Sequence, residues 1–155
     1  MDDAKLRSKI IKARKLVMSG VLSAPESFRL ASINELMDVC NGCGAANAKF
    51  DFVPDRIWGT DISASCQIHD WEYSVGLTNE DKEVADRRWR NNLFRTIDAD
   101  CKKKCYKPRR LMRRRAKSMY FLVDELGGSA FWDGKNKLES LSFEPLEDEA
   151  TLALS

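Results

Sequence analysis

Apolar positions recur with helical spacing over most of the chain. Leu6, Ile10, Ala13 and Val17 follow the i, i+4, i+7, i+11 rhythm of one helix face. That rhythm predicts a basic amphipathic helix over 2–19, ended by Gly20 and set off by Pro25. Ser27 caps a second predicted helix reaching about Leu36, with Phe28, Ile33, Leu36 and Met37 as its apolar face. The rhythm stops over 40–60, where Asn41-Gly42-Cys43-Gly44 is a turn signal and Pro54, Gly59 and several Asp oppose helix. A long ordered loop is expected there, with a short extended piece at Phe50-Asp51-Phe52-Val53. Loops this long inside a compact domain are usually functional.

Helical patterning then resumes. Thr60 or Asp61 caps a helix to about Val75, closed by Gly76. Thr78 or Asn79 caps the next, with Glu80, Asp81 and Glu83 suiting its positive N-terminus. It runs to Asp98 or beyond. Pro108 separates it from a helix over Arg109 to about Leu126, ended by Gly127-Gly128. In that last helix Leu111, Met119, Leu122 and Val123 are expected on the core with the Arg residues outward. Tyr120, Phe121, Phe131 and Trp132 are also read as core, and Trp71 as a packing residue. Strand signals are weak and no internal repeat is present. The expected class is all-α: an antiparallel central helix pair carrying the active site, a long metal-binding loop, and flanking helices. The expected division is a helical extension over 1–38, a domain over 39–134 and an acidic tail over 135–155.

Length and composition fit one domain, since 43% of the 155 residues are hydrophobic. The net charge of +2 hides an asymmetry. Residues 87–117 are densely basic, from Arg87, Arg88 and Arg90 to Arg113, Arg114, Arg115 and Lys117, and only Asp98 and Asp100 oppose them. Acidic residues dominate after Lys137. The basic block implies an anionic partner, a phospholipid surface or a nucleic acid, against the plainer reading of a solvated helix face. No stretch approaches the ~20 apolar residues of a membrane span. Met1-Asp2-Asp3-Ala4-Lys5-Leu6 lacks the basic stretch and apolar run of a secretory signal. Synthesis in the cytosol is therefore expected, with any secretion or delivery by an unconventional route. The five cysteines are Cys40, Cys43, Cys66, Cys101 and Cys105. They admit two readings: a four-thiolate zinc site from Cys40-x2-Cys43 and Cys101-x3-Cys105, or disulfides.

The chemistry concentrates around one residue. His69 is the single His of the chain and lies in Cys66-Gln67-Ile68-His69-Asp70-Trp71-Glu72-Tyr73. The two central helices meet at a short turn near Leu77, so they should pack antiparallel. His69 lies eight residues before Leu77 and Asp86 nine after it. At the same rise per residue, the two sit at nearly equal height and can meet across the interface. Tyr73, one turn nearer the connection, can reach the same carboxylate. A His oriented by an Asp is a general base with its tautomer set. Asp70 points about 100° away around the helix, toward the 40–47 loop, where a carboxylate beside backbone carbonyls suits Ca²⁺.

In these residues the chain resembles the secreted phospholipase A2 superfamily, whose signature is a Cys-Gly calcium loop followed by a helix bearing C-x-x-H-D-x-x-Y. The matching residues are Asn41-Gly42-Cys43-Gly44 and Cys66 to Tyr73. Phe50 to Pro54, and the absence of a long insert between the helices, are similar to the bacterial and fungal or the viral branch. The resemblance covers about 39–94. It implies calcium-dependent hydrolysis of the sn-2 ester of glycerophospholipids. His69 would be the base that deprotonates water, with Asp86 and Tyr73 orienting it. Asp70, the carbonyls of Gly42 and Gly44, and the Asn41 side chain would hold Ca²⁺. A Cys43–Cys66 disulfide would tie loop to helix. It also implies docking on a phospholipid membrane through the basic helices.

Two departures stand out. Ala45-Ala46-Asn47 follows where the family loop is Gly-rich, and Asn41 stands where the bacterial branch tends to carry Asp. A neutral amide is the weaker calcium ligand. Two other functions compete: a zinc-stabilised nucleic-acid-binding module using 87–117, and a catalytically inactive phospholipase-like membrane binder.

Overall fold

The computed structural model describes residues 2–40, 53–132 and Lys135. Its helices are α1 (Asp3–Met18), α2 (Glu26–Leu30), α3 (Ile33–Val39), α4 (Ser63–Val75), α5 (Asn79–Lys103), α6 (Arg109–Leu126) and α7 (Gly128–Trp132). The strands β1 (Arg56–Ile57) and β2 (Thr60–Asp61) form the one small antiparallel ladder among the described residues. The fold is mostly helical, as the patterning predicts. No described helix is long and apolar enough to cross a membrane.

α1 forms as expected. The Asp2 carboxylate accepts the Ala4 N–H, and Leu6, Ile10, Ala13 and Val17 are buried. The single second helix is corrected to two. Ala31 is extended, and Ser32 opens α3 through a reciprocal capping box with Glu35. Two orphan N–H groups are satisfied at that point, which favours a fresh start over continuation. Of the expected apolar face, Phe28 and Leu36 are fully buried and Ile33 and Met37 pack at their edge.

The extended piece expected at 50–53 lies, except for Val53, outside the described residues. Pairing falls instead on β1 and β2, joined by a Trp58-Gly59 turn with both φ angles positive, at 41° and 89°. Such a turn matches the natural twist of a hairpin. α4 therefore starts later than expected, at Ser63. Asp61 still serves its first turn by accepting both the Ser63 N–H (3.0 Å) and the Ser63 hydroxyl (2.6 Å). Thr78 caps α5 through a reciprocal box with Asp81.

α4 lies between α1 and α5, and α5 lies between α4 and α6. One apolar cluster joins α1, α2 and α3 to α4 through Leu6, Ile10, Phe28, Leu36, Ile68 and Trp71. A second joins the hairpin, α4, α5 and α6 through Ile57, Cys66, Trp89, Leu93, Met112 and Met119. A third is built on Tyr73, Ala85 and Phe131. Trp71 packs as expected, its indole N–H reaching the Ser27 hydroxyl at 3.1 Å. Layers on both sides leave α4 buried over nearly its whole circumference, as a central helix must be.

The core face of α6 is corrected. Met112, Ala116, Met119 and Val123 are buried, while Leu111, Phe121 and Leu122 are exposed. The Arg residues also divide. Arg113 turns back to Asp98 (2.5 Å) and over the Phe94 ring, whereas Arg110, Arg114 and Arg115 face solvent.

Candidate functional site

Three side chains converge on one buried carboxylate. Asp86, on the second turn of α5, has no solvent exposure. His69 Nε2 donates to Asp86 Oδ1 at 2.8 Å, and the Tyr73 hydroxyl donates to the same oxygen at 2.6 Å. The carboxylate accepts only, so Nε2 carries the proton and Nδ1 is left as the basic nitrogen. The His69 ring lies against Tyr73 and Trp89, with centroids 4.1 and 5.4 Å away. The equal-height reasoning from the short turn thus brings His69, Tyr73 and Asp86 together. Farther along the pair, Ser65 meets Thr96 (3.5 Å).

Sequence reasoning missed the third donor. Lys82 Nζ donates to Asp86 Oδ2 at 2.7 Å and to the Asp124 carbonyl at 3.1 Å. Its signal was available, since Lys82 precedes Asp86 by four residues on one helix face. Burial pushes the Asp86 carboxyl up, but the hydrogen bonds from His69, Lys82 and Tyr73 outweigh it and hold Asp86 below its ordinary value. Burial, and then the Asp86 charge beside it, raise the Tyr73 phenol, so Tyr73 stays a donor. A second cross-helix pair was missed too: Arg88 on α5 meets the largely buried Glu72 of α4.

The far end of the site is closed by the last turn of α6. A Cβ added at Gly127 would lie 2.3 Å from the Val123 carbonyl oxygen and 2.6 Å from the Tyr73 hydroxyl. Only glycine lets the chain pass this close to the phenol. Lys135 caps the C-terminus of α4 by donating to the carbonyls of Tyr73 and Gly76.

Asp70 points away from this cluster. It is half-buried, and its carboxylate accepts no hydrogen bond among the described residues. Burial pushes its carboxyl up to about 7. Its charge helps to raise the Cys40 thiol, after burial, which sets Asp70 toward the end of α3 where segment 41–52 begins. A carboxylate with burial but no donor among the described residues fits a cation ligand. Asn41, Gly42 and Gly44 lie outside the described residues. No cluster of three or more His, Cys, Asp or Glu that could hold a metal occurs among the described residues.

The cysteine readings change. Cys101 and Cys105 form a disulfide, so two of the four thiolates of the zinc reading are consumed. Cys66 is a buried free thiol in the apolar cluster of Trp89 and Leu93, and Cys43, its partner in the disulfide the resemblance implies, lies outside the described residues. The Cys40 thiol is also free and donates to the Gln67 carbonyl at 3.2 Å.

No family model, no curated protein and no solved structure matches this chain.

Proposed function

We propose that the protein is a calcium-dependent phospholipase A2, hydrolysing the sn-2 ester of glycerophospholipids. The observation that carries this reading is the buried His69–Asp86–Tyr73 cluster, with one imidazole nitrogen pinned by a carboxylate and the other left basic. The choice of a phospholipid ester comes from the resemblance of Cys66 to Tyr73 and of the Asn41 to Gly44 loop.

His69 Nδ1 takes a proton from a water molecule as that water attacks the ester carbonyl carbon. The imidazolium that forms is stabilised by Asp86, held ionised by its three donors. Collapse of the tetrahedral intermediate breaks the bond to the glycerol oxygen, which takes the proton back from Nδ1. The products are a free fatty acid and a lysophospholipid. Asp70, the carbonyls of Gly42 and Gly44, and the Asn41 side chain are the residues that would hold Ca²⁺. When bound, the ion supplies positive charge for the ester oxygen and the phosphate.

The outer face of α6 is the proposed docking face, and its partner is an anionic bilayer. A groove of about 590 Å³ is lined by Phe94, Arg109, Arg110, Arg113, Arg114 and Lys117. Phe121 and Leu122, 61% and 45% exposed, stand beside these cations. Cations mixed with exposed apolar side chains suit a lipid interface better than a nucleic-acid duplex, whose stacked bases offer little to an exposed Leu or Phe.

The test is fatty-acid release from mixed phosphatidylcholine and phosphatidylglycerol vesicles, with calcium or with chelator. Release with calcium is expected, reduced at least ~10²-fold by chelator or by His69→Gln. Negligible release under both conditions, from folded protein, overturns the reading. Release unchanged in His69→Gln overturns the role of the base.

A further inference from the structure

Lys82 belongs to neither the motif nor the ligand set, yet its ammonium is held inside the fold by two partners. Its side chain is 11% exposed and that of Asp86 is fully buried. An i,i+4 ion pair on a helix surface contributes little. This one is inside the protein, and its ammonium is held from two directions. One bond goes to Asp86 Oδ2 on its own helix. The other goes to the Asp124 main-chain carbonyl in the last turn of α6, with the Asp124 carboxylate 3.9 Å away. Carbonyls in a helix's last turn lack an intrahelical partner, so Lys82 satisfies Asp124 while it grips Asp86.

The consequence lies in how the two oxygens of Asp86 are divided. Oδ1 receives the imidazole and phenol donors, and Oδ2 receives the ammonium. Turning the carboxylate about its Cβ–Cγ bond would break this division at every donor. We propose that Lys82 is a positioning residue: by occupying Oδ2 from an anchor on α6, it fixes Oδ1 toward His69 Nε2 and Tyr73. The kinetic part of this inference rests on the hydrolase reading. The geometric part does not.

The chain has a single imidazole, so its ring N–H can be followed by NMR without ambiguity. In the wild-type protein one ring proton is expected on Nε2, shielded from exchange with water. In Lys82→Met, with the helical fold retained, that proton is expected to exchange at least about tenfold faster, and Lys82→Arg restores part of its protection. If the wild type hydrolyses phospholipid, kcat is expected to fall at least about tenfold in Lys82→Met while KM stays within about twofold, the split of a group acting on the transition state. Ring-proton protection equal to wild type in Lys82→Met overturns the proposal whatever the activity. Should Lys82→Met fail to fold, Lys82→Gln keeps a neutral donor and is read the same way. If the wild type releases no fatty acid, the hydrolase reading fails alone, and ring-proton exchange decides the positioning role.

Discussion

Asp70 and Asp86 show how one helix pair treats two carboxylates in opposite ways. Asp86 is the deeper, yet its three donors keep it ionised and below its ordinary value. Its contribution to stability is present above the unfolded carboxylate range and is lost as pH falls through its lowered folded value. Asp70 has no donor among the described residues, and burial alone pushes it from 3.8 up to about 7. The native chain therefore holds a proton that the unfolded chain has released between those values. Asp70 costs the fold little near pH 4 and destabilises it increasingly as pH rises through 7. In chelator, Asp70→Asn should raise Tm clearly at pH 8 and much less at pH 4, as read by circular dichroism. An equal change at both pH values would show that ionisation is not the source. At this scale the sequence was informative about partners that meet across a short turn. His69, Tyr73 and Asp86 could be placed by counting from Leu77, whereas Lys82 was overlooked because an i,i+4 pair reads as surface decoration until its burial is known. Cys66 poses a related case: a thiol inside a motif reads as a crosslink, while its place in the apolar cluster of Trp89 and Leu93 suits a small apolar residue.

Element boundaries were legible where a start signal coincided with the apolar rhythm, as at the Thr78 cap for α5 and at Pro108 for α6. They were misjudged where a second cap lay inside an apolar run. Ser32-Ile33-Asn34-Glu35 is a capping box, yet Phe28, Ile33 and Leu36 suggested one continuous face across it. The box now sets where α3 begins and so how Leu36 and Cys40 reach the core against α4. Ser32→Ala should lower stability by about 1 kcal/mol, measured by urea unfolding. Glu35→Gln, which keeps an oxygen acceptor, should cost less. A Ser32→Ala loss indistinguishable from zero would mean that tertiary packing alone starts the helix. The α6 face was misassigned for a different reason. Leu111, Phe121, Leu122 and Leu126 are exposed while Met112, Ala116, Met119 and Val123 are buried. Leu111, Leu122 and Leu126 lie on one flank of the apolar stripe, and periodicity does not say how far round a helix the core reaches.

Across the whole molecule, the basic helices are not equivalent. Of the six cations of α1, three have partners in the fold: Lys9 pairs with Asp55 (3.6 Å), Lys12 with Asp61 (3.2 Å), and Arg14 donates to the carbonyls of Phe28 and Ala31, while Lys5, Arg7 and Lys15 stay exposed. On α6, Arg110, Arg114, Arg115 and Lys117 remain exposed beside Phe121 and Leu122. What sets α6 apart as the proposed bilayer contact is the exposed Phe121 and Leu122 on the same helix as these cations; its last turn also holds Lys82 through the Asp124 carbonyl. Each Lys or Arg at an anionic membrane surface contributes about 1 kcal/mol, so replacing Arg110, Arg114 and Lys117 together by Gln should weaken vesicle partitioning roughly a hundredfold. Sedimentation with phosphatidylglycerol-containing vesicles measures this. The paired variant Phe121→Ala/Leu122→Ala separates lipid from nucleic acid. It should weaken vesicle binding while leaving binding to a DNA duplex unchanged, because the paired and stacked bases of a duplex offer no face to Phe121 or Leu122, which gain by leaving water for hydrocarbon. The triple variant tests charge, which either polyanion would need; the Phe121/Leu122 pair tests a hydrocarbon phase, which a bilayer has and a duplex lacks. Vesicle partitioning unchanged in both variants would remove α6 from the membrane contact altogether.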